Sequence, residues 1–236
     1  MRYCFGVDVG GTTVKLGFFD EEGNLLEKWE IPTRTQENGK HILPDVAASI
    51  LGKMKEREVS REDIAGVGIG APGPIDAKGT VYVAVNLGWG TFSLKNELQS
   101  LLNLPVEAGN DANVAALGEM WKGGGQGYSN VVAVTLGTGV GGGIIVDGKI
   151  LSGATGAGGE IGHIHVMDGE PERCNCGNCG CLEQDTSATG IVRLAKRRLA
   201  EDDKPSVLRQ SESISAKTVF DAVKSGDELA IEVAER

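Results

Sequence analysis

The chain has 236 residues, of which 40% are hydrophobic, and this length is comfortable for two globular domains. Its 23 basic and 33 acidic residues give a formal net charge of −10, which disfavours general binding to nucleic acid or to an anionic membrane surface. No apolar run approaches the roughly 18 residues that a membrane-spanning helix needs, and the first residues lack a signal-peptide pattern. We therefore expect a cytoplasmic protein whose cysteines are reduced.

The first half of the chain predicts an α/β domain that opens with three strands joined by short loops, over residues 3–9, 14–19 and 25–31. Apolar spacing and the breaks at Gly and Pro predict the elements that follow. In chain order these are a helix over 43–54, a strand over 64–69, a helix capped by Ser93 and ending at Leu102, a strand over 106–108 and a helix over 112–121.

The second half repeats the order of strand, glycine-rich loop and strand, over residues 130–146, with a hairpin turn at Asp147 and Gly148. This repeat predicts two related α/β domains that face each other, residues 1–116 and 117–236. Later elements are helices over 187–199 and 216–224, a polar connection over 204–213, and a helical pattern that still runs at Arg236.

The first glycine-rich loop lies between two predicted strands. Gly10 and Gly11 lack side chains, so their backbone N–H groups can approach a phosphate, while Asp8 can hold Mg²⁺ through water. The spacing matches neither a Rossmann nor a Walker motif, and a plain β-turn with two glycines is the alternative. The residues predicted to contact nucleotide here are Asp8, Gly10, Gly11, Thr12, Thr13 and Lys15.

The second glycine-rich loop is denser, with five glycines among residues 137–143. The alternative interpretation is a glycine-rich hairpin with bulges. Two such loops at equivalent points of two halves favour a clamp on the phosphates of a nucleotide. The residues predicted to contact nucleotide here are Gly137, Thr138, Gly139, Val140 and Gly141.

A cluster of thiols follows, with four of the five cysteines between residues 174 and 181. Zn²⁺ prefers four tetrahedral ligands drawn from thiolate and imidazole, and no open position is implied, so the metal would be structural. Two ligand sets remain open, four cysteines or three cysteines with His163, and a redox-active cluster is the alternative. We expect His163 and His165 to lie on one strand, and we assign His165 no role.

Three carboxylates are candidates for chemistry. Asp111 follows a strand and opens a helix, so it is either a helix N-cap or a base at the carboxyl end of a strand. Glu160 and Glu183 lie beside glycines and candidate metal ligands, where they can accept hydrogen bonds from sugar hydroxyls; solvated surface charge is the alternative. Together with the two phosphate loops, these groups predict an enzyme that transfers a phosphoryl group.

Five ordered motifs resemble those of the repressor–open reading frame–kinase (ROK) family of sugar kinases, and within it the bacterial glucokinases. They are DVGGT at Asp8, GNDAN at Gly109, LGTGVGGG at Leu136, GEIGH at Gly159 and CxCGxxGCLE at Cys174. The resemblance covers essentially the whole chain. It implies the actin-like, ribonuclease-H-like fold, with two α/β domains around a cleft.

The same resemblance implies ATP-dependent phosphorylation of glucose at its 6-hydroxyl, with Mg²⁺ and structural Zn²⁺, by a homo-oligomer that binds no nucleic acid. Asp111 would be the catalytic base, and Cys179 would be left without a role. The implied zinc ligands are His163, Cys174, Cys176 and Cys181. The implied sugar-binding residues are Gly73, Asn110, Asp111, Glu160, His163 and Glu183.

Three other readings stay open: a kinase for another hexose or for N-acetylmannosamine, a sugar-sensing regulator without catalysis, and a purely structural zinc protein. The regulators of the family carry an N-terminal DNA-binding domain, and here the first phosphate loop begins at residue 8. Members of the family usually extend past this length, so we expect the adenine pocket to be incomplete.

Overall fold

The computed structural model describes residues 2–236 and divides them into two compact units. The first unit holds the residues up to Val131 together with Gly143–Gly158. The second unit holds Val132–Gly142 and Gly159–Arg236. The domain boundary predicted between residues 116 and 117 stays a prediction.

The strands of the described residues are numbered β1 to β10 in chain order. Their bounds are Tyr3–Val9, Thr13–Asp20, Leu25–Pro32, Ile64–Ala71, Thr80–Val81, Phe92–Ser93, Val106–Asn110, Val131–Leu136, Val140–Val146 and Lys149–Ile150.

The helices of the same residues, α1 to α7, begin mostly at polar caps; Ser93, Ser187, Ser215 and Asp227 each accept a backbone N–H with the side chain. Their bounds are Ile42–Glu56, Leu94–Leu102, Asp111–Lys122, Glu183–Thr186, Ala188–Glu201, Ala216–Lys224 and Glu228–Ala234. Among these residues, none of the helices is long and apolar enough to pass through a membrane.

A five-stranded sheet in the order β3-β2-β1-β4-β7 forms the centre of the first unit. The pairs β1–β2 and β2–β3 are antiparallel, and the pairs β1–β4 and β4–β7 are parallel. Phe5 and Phe18 pack in the core with ring centroids 5.0 Å apart, alongside residues of α1 and α2 such as Ile50 and Leu98. This mixed sheet places the carboxyl ends of three parallel strands at one edge.

The second unit has a helical core in which α5, α6 and α7 pack together. Leu194, Val219 and Leu229 are buried there, and Leu208 joins them with 2% of its surface exposed. The expectation of a plain polar connection over residues 204–213 is therefore wrong, because Leu208 lies in a short 3₁₀ turn that packs into this core. The last helix ends at Ala234, two residues before the expected Arg236.

Strands β8, β9 and β10 form a three-stranded sheet with β9 in the middle. The predicted hairpin turn is present, since Asp147 and Gly148 both have positive φ angles, of 50° and 74°. His163 ends a 3₁₀ turn, and His165 makes an isolated bridge with Cys181. The strand predicted to carry both histidines is therefore wrong.

The core of the first unit can be tested on α2, which carries fully buried leucines and an exposed one. Leu94 is 0% exposed and Leu101 is 41% exposed. We expect Leu94→Ala to lower the free energy of unfolding by about 2–5 kcal/mol, because it leaves a cavity. Leu101→Ala should change it by less than about 0.5 kcal/mol.

Urea unfolding followed by tryptophan fluorescence measures this difference. All three tryptophans, Trp29, Trp89 and Trp121, belong to the first unit, so their signal follows that unit. Equal losses in the two variants would contradict the assigned core.

Candidate active site and metal centre

Two carboxylates of the first unit lie at the carboxyl ends of parallel strands. Asp8 of β1 stands opposite Gly70 of β4, and Gly70 stands opposite Gly109 of β7. Asp111 follows β7 directly, after Asn110. In open α/β sheets this edge is where ligands bind, so the register brings both acids to the side of the sheet where chemistry is expected.

Asp111 is not the N-cap of α3, which was one of the two roles that the sequence allowed for it. Asn110 is the cap, because its Oδ1 accepts the N–H of Asn113 at 3.1 Å. Partial desolvation of its carboxylate raises the pKa of Asp111 above its ordinary value, and the nearby Asp8 charge raises that pKa further, against the hydrogen bond from the Ala112 N–H. A carboxylate with a raised pKa is a better proton acceptor than an ordinary aspartate.

Asn110 also connects the end of β7 to the loop after β4. Its side chain is buried, and its Nδ2 donates to the carbonyl of Gly73 at 3.1 Å. Gly73 has a φ angle of 90°, and a Cβ there would lie 2.1 Å from the carbonyl oxygen of Val83. The structure thus brings together Gly73, Asn110 and Asp111, three of the residues predicted to hold sugar.

The first glycine-rich loop is a tight turn between β1 and β2. Gly10 donates to the carbonyl of Thr13 at 3.1 Å, and a Cβ on Gly10 would approach that oxygen to 2.8 Å. Gly11 and Thr12 are exposed, and Lys15 stands opposite Asp8 in the antiparallel register. The predicted nucleotide contacts of this loop therefore gather at the end of β1.

The second glycine-rich loop belongs to the second unit. Gly137 donates to the carbonyl of Gly139 at 3.0 Å. A Cβ on Gly139 would lie 2.6 Å from Oε2 of Glu183, and the same oxygen lies 3.4 Å from the N–H of Val140. Thr138 is exposed and Gly141 already belongs to β9. The loop is thus held from one side by Glu183.

Protein packing explains only some of these glycines. Besides Gly10 and Gly139, a Cβ on Gly142 would lie 2.6 Å from the carbonyl oxygen of Gly159. Gly11 and Gly137 are different: a Cβ on either would meet no atom of residues 2–236 within 4 Å, apart from its chain neighbours, and neither has a positive φ angle. The fold does not demand glycine at these two positions, which is consistent with space kept for a ligand.

Four side chains of the second unit form a candidate metal centre. One ligand atom from each of His163, Cys174, Cys176 and Cys181 lies within 4.8 Å of the others. The Sγ atoms of Cys176 and Cys181 are 3.5 Å apart, and Cys174 Sγ is 3.6 Å from His163 Nδ1. A tetrahedral zinc site requires about 3.8 Å between two sulfurs and about 3.6 Å between sulfur and nitrogen, so the residues fit the ion.

Glu183 joins this centre to the second glycine-rich loop. Its Oε1 accepts from Cys174 Sγ at 3.0 Å and lies 3.7 Å from His163 Nδ1, while its Oε2 faces Val140. The other ring nitrogen of His163, Nε2, lies 4.0 Å from Glu160. The structure therefore brings Glu160, His163 and Glu183 together in the second unit.

Residues 174–181, which carry the clustered cysteines, are called the metal loop. An ion cluster around the buried Glu170, which the sequence did not reveal, holds this loop against α5. The Glu170 side chain is 1% exposed and pairs with Arg193 at 3.0 Å and Arg197 at 2.9 Å. These hydrogen bonds lower the pKa of Glu170 to about 2, against the cost of burial. Arg193 also pairs with Asp185 at 3.1 Å. We call Glu170, Asp185, Arg193 and Arg197 the ion cluster.

Gln184, next to Glu183, closes the metal loop. It is buried; its Oε1 accepts the N–H of Cys181 at 3.0 Å, and its Nε2 donates to the carbonyl of Glu172 at 3.0 Å. Gly190 lets α5 come close, because a Cβ there would lie 2.5 Å from the carbonyl oxygen of Gln184. Such outer contacts fix the orientation of metal ligands.

An apolar groove of about 1070 Å³ in the first unit includes no predicted site residue. It runs along the exposed side of α3, and its lining is mostly apolar, with Lys122, Gln126 and Ser129 among the polar members. Its main lining residues are Phe19, Val114, Leu117, Met120, Trp121 and Tyr128.

Residues 4–236 match the sequence model of the ROK family. The chain belongs to the ROK family. The predicted fold class, an actin-like α/β fold, is confirmed by the solved ROK structures that this chain resembles and by its own mixed sheet.

Two glucokinases are similar to this chain along almost its whole length. The glucokinase of Halalkalibacterium halodurans is 45% identical over 238 residues, which are 99% of this chain and 72% of that relative. The glucokinase of Thermotoga maritima is 38% identical over 237 residues, which are 98% of this chain and 73% of that relative.

A solved structure of the ROK family is similar as well. It is a ROK glucokinase from Streptomyces griseus in complex with glucose and AMPPNP, with a TM-score of 0.75 and 36% identity. The similarity covers 98% of this chain and 74% of that one. The family predicted from the motifs is thereby confirmed.

The ligand set of this ROK chain can be tested by metal content. We expect Cys176→Ser to lose most of its bound zinc, because a hydroxyl is a poor replacement for a thiolate ligand, while Cys179→Ser keeps about one zinc per chain. Elemental analysis by mass spectrometry after extensive dialysis measures the ratio. Zinc loss in Cys179→Ser as large as that in Cys176→Ser would favour the four-cysteine set.

The ion cluster makes a prediction about acid stability. The folded pKa of Glu170 is about 2 and its ordinary value is 4.5, so the stability from ionised Glu170 is present above pH 4.5 and is lost as the pH falls towards 2. Glu170→Gln should therefore lower the free energy of unfolding at neutral pH by about 1–3 kcal/mol. Between neutral pH and about pH 3, the free energy of unfolding should also fall less in this variant than in the wild type.

Urea unfolding followed by far-ultraviolet circular dichroism, from neutral pH to about pH 3, measures both effects. Glu172→Gln is the matched control, since the Glu172 side chain is 54% exposed and also pairs with Arg197. A parallel pH dependence in Glu170→Gln and the wild type would contradict the role of Glu170.

Proposed function

We propose that this protein transfers the γ-phosphoryl group of ATP to the 6-hydroxyl of glucose. The observation that carries the proposal is the 45% identity with a glucokinase over 99% of the chain. The glucose and AMPPNP bound to the Streptomyces griseus relative support the same substrates. The proposed activity also gives every predicted site residue a use.

Asp111 is the proposed catalytic base. It would accept the proton of the 6-hydroxyl as that oxygen attacks the γ-phosphorus, and the bond from phosphorus to the β,γ-bridging oxygen would break to release ADP. The raised pKa of Asp111 supports this role. Most of the catalysis in phosphoryl transfer is positioning and charge neutralisation, so the base needs only a modest proton affinity.

The proposed sugar-binding residues are Gly73, Asn110, Asp111, Glu160, His163 and Glu183. Asn110 and Gly73 are linked in the first unit, and Glu160, His163 and Glu183 gather in the second. Carboxylates accept hydrogen bonds from adjacent hydroxyls, which suits a hexose. Holding the 6-hydroxyl in line with the γ-phosphate would raise the rate, because binding has already brought the two reacting groups into position.

The two glycine-rich loops are the proposed phosphate sites, and the open spaces at Gly11 and Gly137 support them. Asp8 would hold Mg²⁺ through water, and the ion would supply positive charge against the phosphates. The proposed zinc site would fix the loop that carries His163 and Glu183. The cytoplasmic location, the homo-oligomeric state and the lack of a nucleic-acid partner stay predictions.

A sugar panel with ADP detection tests the activity. We expect phosphorylation with glucose and ATP to exceed that with fructose, mannose or N-acetylmannosamine, and to exceed that with polyphosphate as donor. Replacing Asp111 by Asn should lower kcat about 10²- to 10⁴-fold, because the base is lost while glucose binding is kept.

The Kd for glucose is measured by calorimetry for each variant, to show that glucose binding is kept when kcat falls. Asp221→Asn is a suitable control, because Asp221 is an exposed residue of α6 that pairs with Lys217. No ADP above background with glucose would refute the proposed function. Near-normal turnover in Asp111→Asn would remove Asp111 from the role of base.

A further inference from the structure

A threonine outside the glycine motif holds the first glycine-rich loop. The hydroxyl of Thr33, one residue past β3, donates to the carbonyl of Gly10 at 2.7 Å. The backbone N–H of Thr33 donates to the carbonyl of Thr12 at 2.9 Å. Two of the loop's carbonyl groups are thus drawn to one residue that lies 23 positions from Gly10.

The second loop is held in the same way in its own unit. The hydroxyl of Thr189, in the first turn of α5, donates to the carbonyl of Thr138 at 2.7 Å. The backbone N–H of Ala188 donates to the carbonyl of Gly137 at 2.9 Å. The same pair of contacts, one hydroxyl and one N–H, therefore recurs at both loops.

These contacts decide which way the loop N–H groups point. In a trans peptide unit the C=O of one residue and the N–H of the next point in opposite directions, and the described residues contain no cis peptide. Holding the Gly10 carbonyl on the Thr33 side turns the N–H of Gly11 away from Thr33. Holding the carbonyls of Gly137 and Thr138 on the α5 side likewise turns the N–H groups of Thr138 and Gly139 away from α5.

We infer that Thr33 and Thr189 are positioning residues that aim these N–H groups at the phosphates of ATP. Neither threonine need touch the nucleotide. We call Thr33 and Thr189 the anchors. If a peptide unit of the loop turned over, its carbonyl oxygen would face the phosphate and its N–H would point away. Each anchor would therefore favour nucleotide binding both by removing this repulsion and by keeping the donor in place. Because ATP is the ligand concerned, these roles rest on the proposed kinase activity.

The expected effect is on ATP and not on glucose. A single hydrogen bond of this kind contributes modestly, so Thr33→Val and Thr189→Val should each raise the KM for ATP and the Kd for AMPPNP about 3- to 10-fold. Thr33→Ser and Thr189→Ser keep the hydroxyl and should restore values close to the wild type. The KM for glucose and the zinc content should stay unchanged in all four variants.

Each unit offers a matched control. Thr91 is exposed and donates to the carbonyl of Tyr82 at 2.7 Å in the first unit, and Thr186 is exposed and donates to the carbonyl of Leu182 at 2.9 Å in the second. Thr91→Val and Thr186→Val lose an equivalent hydrogen bond away from the glycine-rich loops. We expect the KM for ATP to stay at the wild-type value in both.

Steady-state kinetics and calorimetry with AMPPNP on the full chain distinguish the outcomes. An ATP-specific defect that serine rescues supports the inference. Wild-type KM for ATP in both anchor variants, or equal rises for ATP and glucose, would overturn it.

Nucleotide binding also separates this inference from the proposed function. A wild-type chain that binds AMPPNP but fails to phosphorylate glucose would refute the proposed activity, while the anchor variants could still be compared by Kd. Failure of the wild type to bind AMPPNP at all would overturn both.

Discussion

The parallel register of β1, β4 and β7 is the constraint on which the candidate site of the first unit depends. Asp8, Gly70 and Gly109 lie side by side across these strands, so a shift of one residue in either pairing would move one acid relative to the other. The strands are built largely from buried apolar residues, and such burial specifies register strongly. The placement of Asp111 is therefore a consequence of the hydrophobic core and not of any contact made by its carboxylate.

The second unit has little sheet to supply such a register, and its candidate site is held by polar contacts. Cys181 is fixed by Gln184, whose neighbour Glu183 contacts Cys174 and faces the glycine-rich loop. Arg193 of α5 pairs with Glu170 and Asp185, on either side of the metal loop. Buried charge pairs of this kind contribute little net stability relative to apolar packing, but they tolerate few arrangements, which suits a loop that must present ligands in one geometry.

Local signals were sufficient for most of the elements. The strand Tyr3–Val9 and the helix Ala216–Lys224 have the bounds that apolar spacing and the Ser215 cap predicted. The Leu208 turn and the histidine pair were predicted wrongly, because each is set by tertiary contacts: Leu208 packs against distant helices, and His165 bridges to Cys181. Sequence spacing contains no information about either partner.

The candidate site shows the same division between local and distant information. Cysteine spacing alone left the choice between Cys179 and His163 open, and the family resemblance implied His163. In the structure the side chain of His163 lies beside those of Cys174, Cys176 and Cys181. The ion cluster joins Glu170 to Arg197 across 27 positions, with nothing in either neighbourhood to mark the pair. The anchors Thr33 and Thr189 were missed for the same reason, since a lone threonine beside an element end has no distinctive pattern.

The close approach at Gly190 has a consequence for how this protein can diverge. The carbonyl oxygens of Glu183 and Gln184 both lie within 2.7 Å of the place where a Cβ would sit, so the backbones of α4 and α5 touch there without any side chain between them. A methyl group at this point would wedge the two helices apart and displace Glu183, and with it one wall of the metal loop. Gly190, which has no reactive group, is therefore restricted by the lack of space for a side chain as tightly as the charged residues are restricted by their contacts. Substitutions that accumulate in this region of the sequence are therefore expected to leave Gly190 unchanged.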